Sequence, residues 1–253
     1  IERETDLNLT TDGVVTYPSN FTDSKKYPLV LLIHGGPTAS SMESFNPLAQ
    51  EMARNGWIVF QPNYRGSNNR GDSFQEAIMN DGGEGPGRDV MAGIEVLKSR
   101  GYIDESKIAV SGWSYGGFMT SWLIGRYPDF WKVAVAGAAP IDFTDMTSLS
   151  NMNLTLRHAI TNSPWVGDNF KDHYDMSPLK NLSKIKTPTL VMSKVEDQVV
   201  TVTGSYKLYH ALLANNIPTK FIAYPGGGHF PSDPTNRKDV YDRWISWLKE
   251  YLN

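Results

Sequence analysis

Residues 108–117 read Ile-Ala-Val-Ser-Gly-Trp-Ser-Tyr-Gly-Gly, and they set the expected fold of the whole chain. The apolar run Ile108–Val110 leads into Gly-x-Ser-x-Gly with Ser114 at its centre, and residues 118–123 can start a helix. This order predicts a buried strand, a tight turn and a helix, with the Ser114 hydroxyl exposed at the apex as a nucleophile. The flanking glycines let strand and helix pass closely and tolerate unusual backbone angles. An ordinary turn rich in Gly and Ser has the same pattern, so the rest of the chain must distinguish a nucleophile turn from an ordinary one.

Apolar runs of strand length alternate with segments of helical periodicity along the rest of the chain. The predicted strands are Pro28–Ile33, Trp57–Phe60, Ile108–Val110, Val133–Ala136, Thr189–Met192 and Phe221–Tyr224, with an edge strand at Val14–Tyr17. The predicted helices lie within residues 45–53, 90–97, 116–126, 202–213 and 240–251, and residues 67–87 are predicted to form a surface loop. The sequence therefore predicts an α/β fold with a mostly parallel, doubly wound sheet flanked by helices, in a single domain over residues 1–253.

The composition excludes several other classes of protein. With 253 residues and 40% hydrophobic content, the chain is long enough for one sizeable core. The net charge of −3 and the pI of about 6.0 give no electrostatic reason to expect nucleic acid or an anionic membrane as a partner. The absence of cysteine excludes disulfides and a thiol nucleophile. No apolar run is long enough to span a bilayer, and neither a compartment nor an oligomeric state is predicted.

A glycine pair follows the first long apolar strand, where residues 34–37 read His-Gly-Gly-Pro. Open α/β sheets bind their ligands at the carboxyl ends of such strands. A backbone N–H from this loop would join that of Tyr115, the residue after the nucleophile, in binding the negative oxygen of a reacting carbonyl. The alternative is a plain turn, with His34 as a structural histidine.

Three groups with the chemistry of a serine hydrolase follow three different strands, in the chain order of an α/β-hydrolase. A serine hydroxyl needs a base to take its proton, and a carboxylate must orient the imidazole and stabilise its cation. We therefore predict Ser114 as nucleophile, Asp197 as acid and His229 as base. Glu196 and Asp142 are the alternatives for the carboxylate.

The other polar residues do not indicate a metal site. His158, His173 and His210 are interpreted as structural, because the sequence shows no cluster with metal-ligand spacing. No metal and no cofactor are therefore expected. The glycine run 226–228 is expected to give His229 a mobile and unobstructed loop.

Residues 141–187 differ in composition from the rest of the chain, since Asn, Asp, Ser, Met and aromatic residues mix without a sustained period. The segment is longer than an ordinary connection. We expect a cap-like insertion near the active site, with a helical excursion free of substrate contact as the alternative. Candidates for the substrate pocket lie in this segment and in two neighbouring loops: Tyr64, Arg65, Trp165, Tyr174 and Val199.

Four ordered motifs together resemble the catalytic domain of the prolyl oligopeptidase family, in particular its acylaminoacyl-peptidase and dipeptidyl-peptidase branches. The motifs are His34–Pro37, Asn63–Ser67, Gly112–Gly117 and Tyr224–His229, and the similarity runs from about Lys26 to the carboxyl terminus. The resemblance implies Ser114, Asp197 and His229 as the catalytic triad. It also implies the backbone N–H groups of Tyr115 and Gly36 as the oxyanion hole. Ser193-Lys194 stands where a His-Gly pair is common in the family.

Family peptidases usually carry a large amino-terminal β-propeller, which nothing in this chain could form. We therefore expect a serine carboxylesterase that cleaves short-chain acyl esters, such as acetyl or feruloyl esters, as small relatives without a propeller often do. The alternative is a serine peptidase or acylaminoacyl peptidase acting on a short acyl-peptide, with this chain as an excised catalytic domain. The start at Ile1 agrees with a processed or excised form. A third candidate, an inactive hydrolase fold used for binding, is disfavoured by the complete set of catalytic residues.

Overall fold

The computed structural model describes residues 1–253, apart from the side chain of His158. Across these described residues, eight strands form one sheet in the order β1-β2-β4-β3-β5-β6-β7-β8. The strands are β1 (Glu2–Glu4), β2 (Thr10–Thr16), β3 (Tyr27–Ile33), β4 (Ile58–Asn63), β5 (Ile103–Trp113), β6 (Val133–Gly137), β7 (Thr189–Glu196) and β8 (Thr219–Gly227). Pairing is parallel from β4 through β8 and antiparallel for β1 with β2 and for β2 with β4. The predicted α/β-hydrolase fold with a mostly parallel sheet is confirmed.

Helices cover both faces of this sheet and bury two apolar layers. They are α1 (Pro47–Arg54), α2 (Asp72–Glu76), α3 (Glu84–Ser99), α4 (Tyr115–Arg126), α5 (Phe143–Leu149), α6 (Asn153–Ala159), α7 (Asn169–Asp175), α8 (Val202–Ala214) and α9 (Pro234–Leu252), with a 3₁₀ helix at Pro178–Lys184. One layer lies between the sheet and α3, α4 and α8, and the other between the sheet and α1 and α9. Alternate residues of β3 supply each layer, because successive side chains of a strand point to opposite faces.

The central strand β5 pairs with β3 on one side and β6 on the other, in a register that brings the ends of all three together. Ile33 lies opposite Gly112, and Trp113 lies opposite Gly137. The loops that follow β3, β5, β7 and β8 therefore emerge at one edge of the sheet. This edge carries every residue predicted to take part in the chemistry.

The surface loop predicted for residues 67–87 is wrong in part, because α2 and the start of α3 lie within it. Phe74 and Ile78 are buried in this stretch, at 1% and 2% exposure. Four residues apart, they face the same side of a short helical segment and reach the core. The prediction of a loop followed from the many Gly, Asn and Asp residues of this stretch, which outweighed the two buried apolar residues. The short strand β1 was not predicted either.

Residues 141–187 form α5, α6, α7 and the 3₁₀ helix between β6 and β7. Two hydrogen bonds attach this segment to the loop after β7: the Ser150 hydroxyl donates to the Val199 carbonyl at 2.6 Å, and the Asn151 N–H donates to the Gln198 carbonyl at 2.9 Å. The three α-helices have seven residues each, which explains why no sustained period marks them in the sequence. No helix in the described residues has the length and apolar content needed to cross a membrane.

Candidate active site

Ser114 lies on the sharp turn between β5 and α4, with φ 62° and ψ −126°. A residue with a Cβ pays about 1–3 kcal/mol to adopt such a conformation. The turn is held by the Ser114 N–H, which donates to the Gly137 carbonyl at 2.9 Å. A Cβ on Gly116 would lie 2.1 Å from the Ile33 carbonyl oxygen, and one on Gly112 would lie 2.5 Å from the Gly116 carbonyl carbon. The two flanking glycines are therefore required by close backbone approach, as the motif predicts.

His229 and Asp197 are paired beside this turn. Nδ1 of His229 lies 2.7 Å from Oδ2 of Asp197, whose side chain is fully buried. Oδ1 of Asp197 accepts the N–H groups of Val199 and Val200 at 2.8 and 3.0 Å. A carboxylate held in this way accepts an N–H from Nδ1 and leaves a lone pair on Nε2, which is the form able to take a proton.

The opposite nitrogen, Nε2 of His229, is buried and has no hydrogen-bond partner among the described residues. The Trp113 indole N–H donates to the His229 carbonyl at 3.0 Å and fixes the backbone of the histidine loop against the residue before Ser114. The chain thus presents a free, oriented imidazole nitrogen at the edge that carries the nucleophile candidate.

The two alternative carboxylates occupy other places. Asp142 caps α5 by accepting the Thr144 N–H at 2.9 Å and pairs with the Lys207 ammonium at 2.7 Å. Burial tends to raise the pKa of Asp142, but the hydrogen bonds from Lys207 and Thr144 outweigh burial and hold it below its usual value. Glu196 is exposed at the end of β7. Of the three candidates, Asp197 is the one bonded to His229.

The loop after β3 and the start of α4 each present a backbone N–H. Gly36 has φ +122°, where a Cβ would lie 2.6 Å from the Thr38 nitrogen, so this position requires glycine. Tyr115 is the first residue of α4, whose N-terminal N–H groups lack partners within the helix. Both N–H groups suit an oxygen that becomes negatively charged, and the helix dipole of α4 adds to this. Their use as an oxyanion hole stays a prediction.

Three stacked rings pack against this loop: Tyr64 and Tyr115 are buried, and His34 is half-buried. The ring of Tyr64 lies 4.5 Å from that of His34 and 5.3 Å from that of Tyr115. The Tyr64 hydroxyl donates to the His34 carbonyl at 2.9 Å. Burial lowers the pKa of His34 to about 4, so the imidazole is neutral at pH 7. The stack fixes the direction of the loop that carries Gly36.

The residues predicted to line a substrate pocket lie in different environments. Tyr64 and Arg65 are buried, at 0% and 2% exposure, and in this conformation neither side chain faces open surface. The Arg65 guanidinium makes two hydrogen bonds to Asp89, at 2.8 and 2.7 Å. Trp165 and Tyr174 are 63% and 45% exposed in the 141–187 segment. Val199 lies beside Asp197. Contact of these five side chains with substrate stays a prediction.

One residue near the site was not predicted to act there. Lys194, on β7, is 7% exposed, and its ammonium donates to the carbonyl of Gly227, the last residue of β8 and two residues before His229. Gly226 and Gly228 on either side have φ of +77° and +89°. The loop expected to be unobstructed is therefore tied to the strand that leads to Asp197. The sequence contains one indication of this role, since Ser193-Lys194 stands where a His-Gly pair is common in the family.

Within the described residues, no group of three or more His, Asp and Glu side chains is placed to hold a metal ion.

Comparison with known proteins identifies one family. The sequence model of the prolyl oligopeptidase family matches residues 43–253. The acylamino-acid-releasing enzyme of Mus musculus is 28% identical over 247 residues, which cover 95% of this chain and 34% of that protein. Dipeptidyl-peptidase 5 of Aspergillus oryzae is 29% identical over 242 residues, covering 94% of this chain and 33% of that protein. This chain thus spans about a third of the length of the curated relatives it matches.

Solved structures show the same fold. The uncomplexed Pyrococcus horikoshii acylaminoacyl peptidase superposes with a TM-score of 0.90 at 24% identity, over 100% of this chain and 41% of that one. A puromycin-hydrolyzing peptidase of Mycobacterium tuberculosis gives a TM-score of 0.91 at 20% identity, over 100% of this chain and 39% of that one.

Proposed function

The chain belongs to the prolyl oligopeptidase family of serine hydrolases, and from that premise we propose that it is a serine peptidase acting on short peptides, blocked aminoacyl peptides in particular. The observation that carries the proposal is the hydrogen bond of His229 to the buried Asp197, which leaves Nε2 free at the same edge of the sheet as the strained Ser114. The peptidase function comes from the relatives, which are acylamino-acid-releasing enzymes and dipeptidyl peptidases.

In the proposed mechanism, Nε2 of His229 takes the proton of the Ser114 hydroxyl as the oxygen attacks the substrate carbonyl. The N–H groups of Gly36 and Tyr115 bind the oxygen of the tetrahedral intermediate. His229 then gives the proton to the leaving amine, and an acyl-enzyme remains on Ser114. Water, deprotonated by the same imidazole, releases the acyl group. Asp197 holds Nδ1 and stabilises the imidazolium at each step.

The carboxylesterase expected from the sequence shares this acyl-enzyme chemistry, but the matched relatives favour the peptidase alternative. An amine is a poorer leaving group than an alcohol, and its departure depends on protonation by the base. The rigid support of His229 by Asp197 and by the Trp113 indole suits that requirement.

We further propose that residues 141–187 form a wall over the active site within the single domain 1–253. Support comes from the hydrogen bonds of Ser150 and Asn151 to the loop between Asp197 and Val200. The exposed Trp165 and Tyr174 belong to the same segment. Their contact with substrate is part of this proposal.

The test is a paired rate assay in which one N-acetylated amino acid is offered as a nitrophenyl ester and as a nitroanilide. We expect both to be cleaved and both to lose activity in Ser114→Ala, while Ser24→Ala, an exposed serine on a loop, retains it. Fast ester cleavage with negligible anilide cleavage would favour the esterase. Failure of a fluorophosphonate to label the native protein at Ser114 would remove the nucleophile assignment.

A further inference from the structure

A cleft of about 300 Å³ opens beside Gly35, in the loop after β3, and beside Trp113, the residue before the proposed nucleophile. Gly35 and Trp113, which precede Gly36 and Ser114 in the chain, form one end of it together with Phe230. A Cβ on Gly35 would lie 3.2 Å from Cβ and 3.7 Å from Oγ of Ser114. Gly35 therefore connects the cleft with Ser114, which does not itself line the cleft.

The cleft also borders the segment that follows His229, because Phe230 lines it. Phe230 follows His229 in the chain, and its ring packs edge-to-face on Trp113 with centroids 4.8 Å apart. The Trp113 indole N–H is bonded to the His229 carbonyl. Because the base must protonate the departing group, the leaving group lies next to the imidazole in any such mechanism. The cleft is thus placed to receive the leaving-group side of a substrate.

The lining of the cleft is aromatic and aliphatic with uncharged polar groups. Trp113, Phe230, Tyr241 and Trp244 supply aromatic surface, and none of the lining side chains in the described part of the chain is Lys, Arg, Asp or Glu. By contrast, a second cleft near α9 is lined by Lys220, Asp242, Arg243 and Glu250. Burying a charge beside the first cleft without a partner is unfavourable.

Uncharged hydrogen-bonding groups stand among these apolar walls. Gln61 is 7% exposed and lines the cleft with an amide that can both donate and accept. Ser41 and Trp244 also line it, and their Oγ and Nε1 atoms are buried without a hydrogen-bond partner among the described residues. Polar groups of this kind, few and set in an apolar wall, are typical of small-molecule binding sites.

Building on the proposed function, we propose that this cleft is the leaving-group subsite and selects an uncharged residue with a large apolar or aromatic side chain. The volume suits one such residue, and the Gln61 amide is available to the amide group of its backbone. Substrates whose leaving group begins with Lys, Arg, Asp or Glu bind there poorly.

The subsite can be measured apart from the acyl side by partitioning of the acyl-enzyme. Nitrophenyl acetate acylates Ser114 with a group too small to report on an acyl pocket, and an added amino-acid amide then competes with water. The amine nitrogen bonds to the acetyl carbon, the bond from that carbon to Ser114 Oγ breaks, and His229 passes the amine proton to Oγ. The ratio of acetylated amide to acetate gives the capture efficiency of each amine.

We expect phenylalaninamide and leucinamide to capture the acetyl group at least about tenfold better than glycinamide, lysinamide or glutamic acid α-amide. Ser44 is exposed and lines the cleft, so Ser44→Trp should reduce this preference to below about threefold by occupying the space. Ser246→Trp, on the exposed face of α9 near the second cleft, is the matched control and should keep it.

The outcomes separate the subsite from the proposed function. Acetylation that depends on Ser114, followed by equal capture of all the amides or by preferred capture of lysinamide, overturns the subsite and leaves the nucleophile in place. Retention of the full preference in Ser44→Trp also overturns the subsite. Loss of acetylation altogether, with no release of nitrophenol above the Ser114→Ala blank, overturns the proposed function and the subsite with it.

Discussion

Nδ1 of His229 lies 2.7 Å from Oδ2 of the fully buried Asp197, which receives two backbone N–H groups on its other oxygen. The carboxylate is therefore fixed by the loop that follows β7, and the ring is fixed by the carboxylate. Removing the charge of Asp197 should disturb the orientation and tautomer of His229 and leave the fold in place.

Asp197→Asn should lower kcat on the nitrophenyl ester by about four orders of magnitude, as replacement of the orienting acid does in a comparable triad. The asparagine amide would present an N–H toward Nδ1 and favour the wrong tautomer. Glu196→Gln and Asp142→Asn are the matched controls and should retain activity within about threefold. A large loss of activity in Asp142→Asn with little loss in Asp197→Asn would show that Asp142, after β6, is the catalytic acid.

Ser114 should be a source of strain as well as of reactivity. Its φ of 62° is unfavourable for a residue with a Cβ and harmless for glycine. Ser114→Gly should therefore be more stable than Ser114→Ala by about 1 kcal/mol, and both should be inactive. Urea unfolding of the two variants measures the difference. Equal stabilities would mean that the turn carries no strain.

The buried ion pair between Arg65 and Asp89 should be the costliest one to break. Burial tends to lower the pKa of Arg65, but hydrogen bonds and charge from Asp89 and Asp6 hold it above its usual value. Arg65→Met leaves Asp89 buried without its partner and should cost about 3–5 kcal/mol. In Arg65→Met/Asp89→Leu the loss should be smaller than the sum of the single losses. Additive losses would show that the two side chains are not coupled.

Stability should fall in acid because of His34. Burial lowers the pKa of His34 to about 4, from an ordinary value of 6.5. The unfolded chain binds a proton more tightly than the folded chain, so this contribution is complete above pH 6.5 and is lost as the pH falls toward 4. The loss amounts to about 3 kcal/mol. The measurement is urea unfolding at pH 7.0, 5.5 and 4.5 of the native protein, of His34→Gln and of the exposed-site control His210→Gln. Only His34→Gln should weaken the dependence of the unfolding free energy on pH.

Lys194 should act as a positioning residue for His229. Its ammonium donates to the Gly227 carbonyl, two residues before the imidazole, in a loop with positive φ at Gly226 and Gly228. Lys194→Met should lower kcat by about tenfold to a hundredfold with KM within about twofold, since small displacements of a catalytic group are costly.

Recovery of activity in a conservative variant distinguishes a positioning role of Lys194 from a role in stability alone. Lys194→Arg keeps a donor and should recover most of the activity. Lys220, also in the sheet, places its ammonium over the Trp247 ring of α9, and Lys220→Met should lose little activity. No recovery in Lys194→Arg, together with a matching fall in the unfolding temperature of both Lys194 variants, would indicate a structural role alone.

Most of the sheet could be predicted because its signal is local. Continuous apolar runs such as Pro28–Ile33 and Val133–Ala136 are buried on both faces and became β3 and β6. The glycines around Ser114 also form a local motif, although Gly112 alone is required by a near neighbour in the chain, Gly116, whereas Gly116 is required by Ile33 of β3. A short helix with a single buried residue, such as α2 with Phe74, carries too little local signal to be distinguished from a loop.

The residues of the site were identified by type, spacing and order, which the sequence alone determined: a serine between glycines, then an acid and a histidine after later strands. Tertiary structure alone decided which acid meets His229, that Tyr64 and Arg65 are buried supports, and that Lys194 reaches the histidine loop. The contacts of Arg65 with Asp89, Lys194 with Gly227 and His229 with Asp197 join residues 24 to 33 positions apart. The sequence pattern of a strand indicates which of its faces is buried. Which side chains from other strands and loops contact that face depends on the register between the strands.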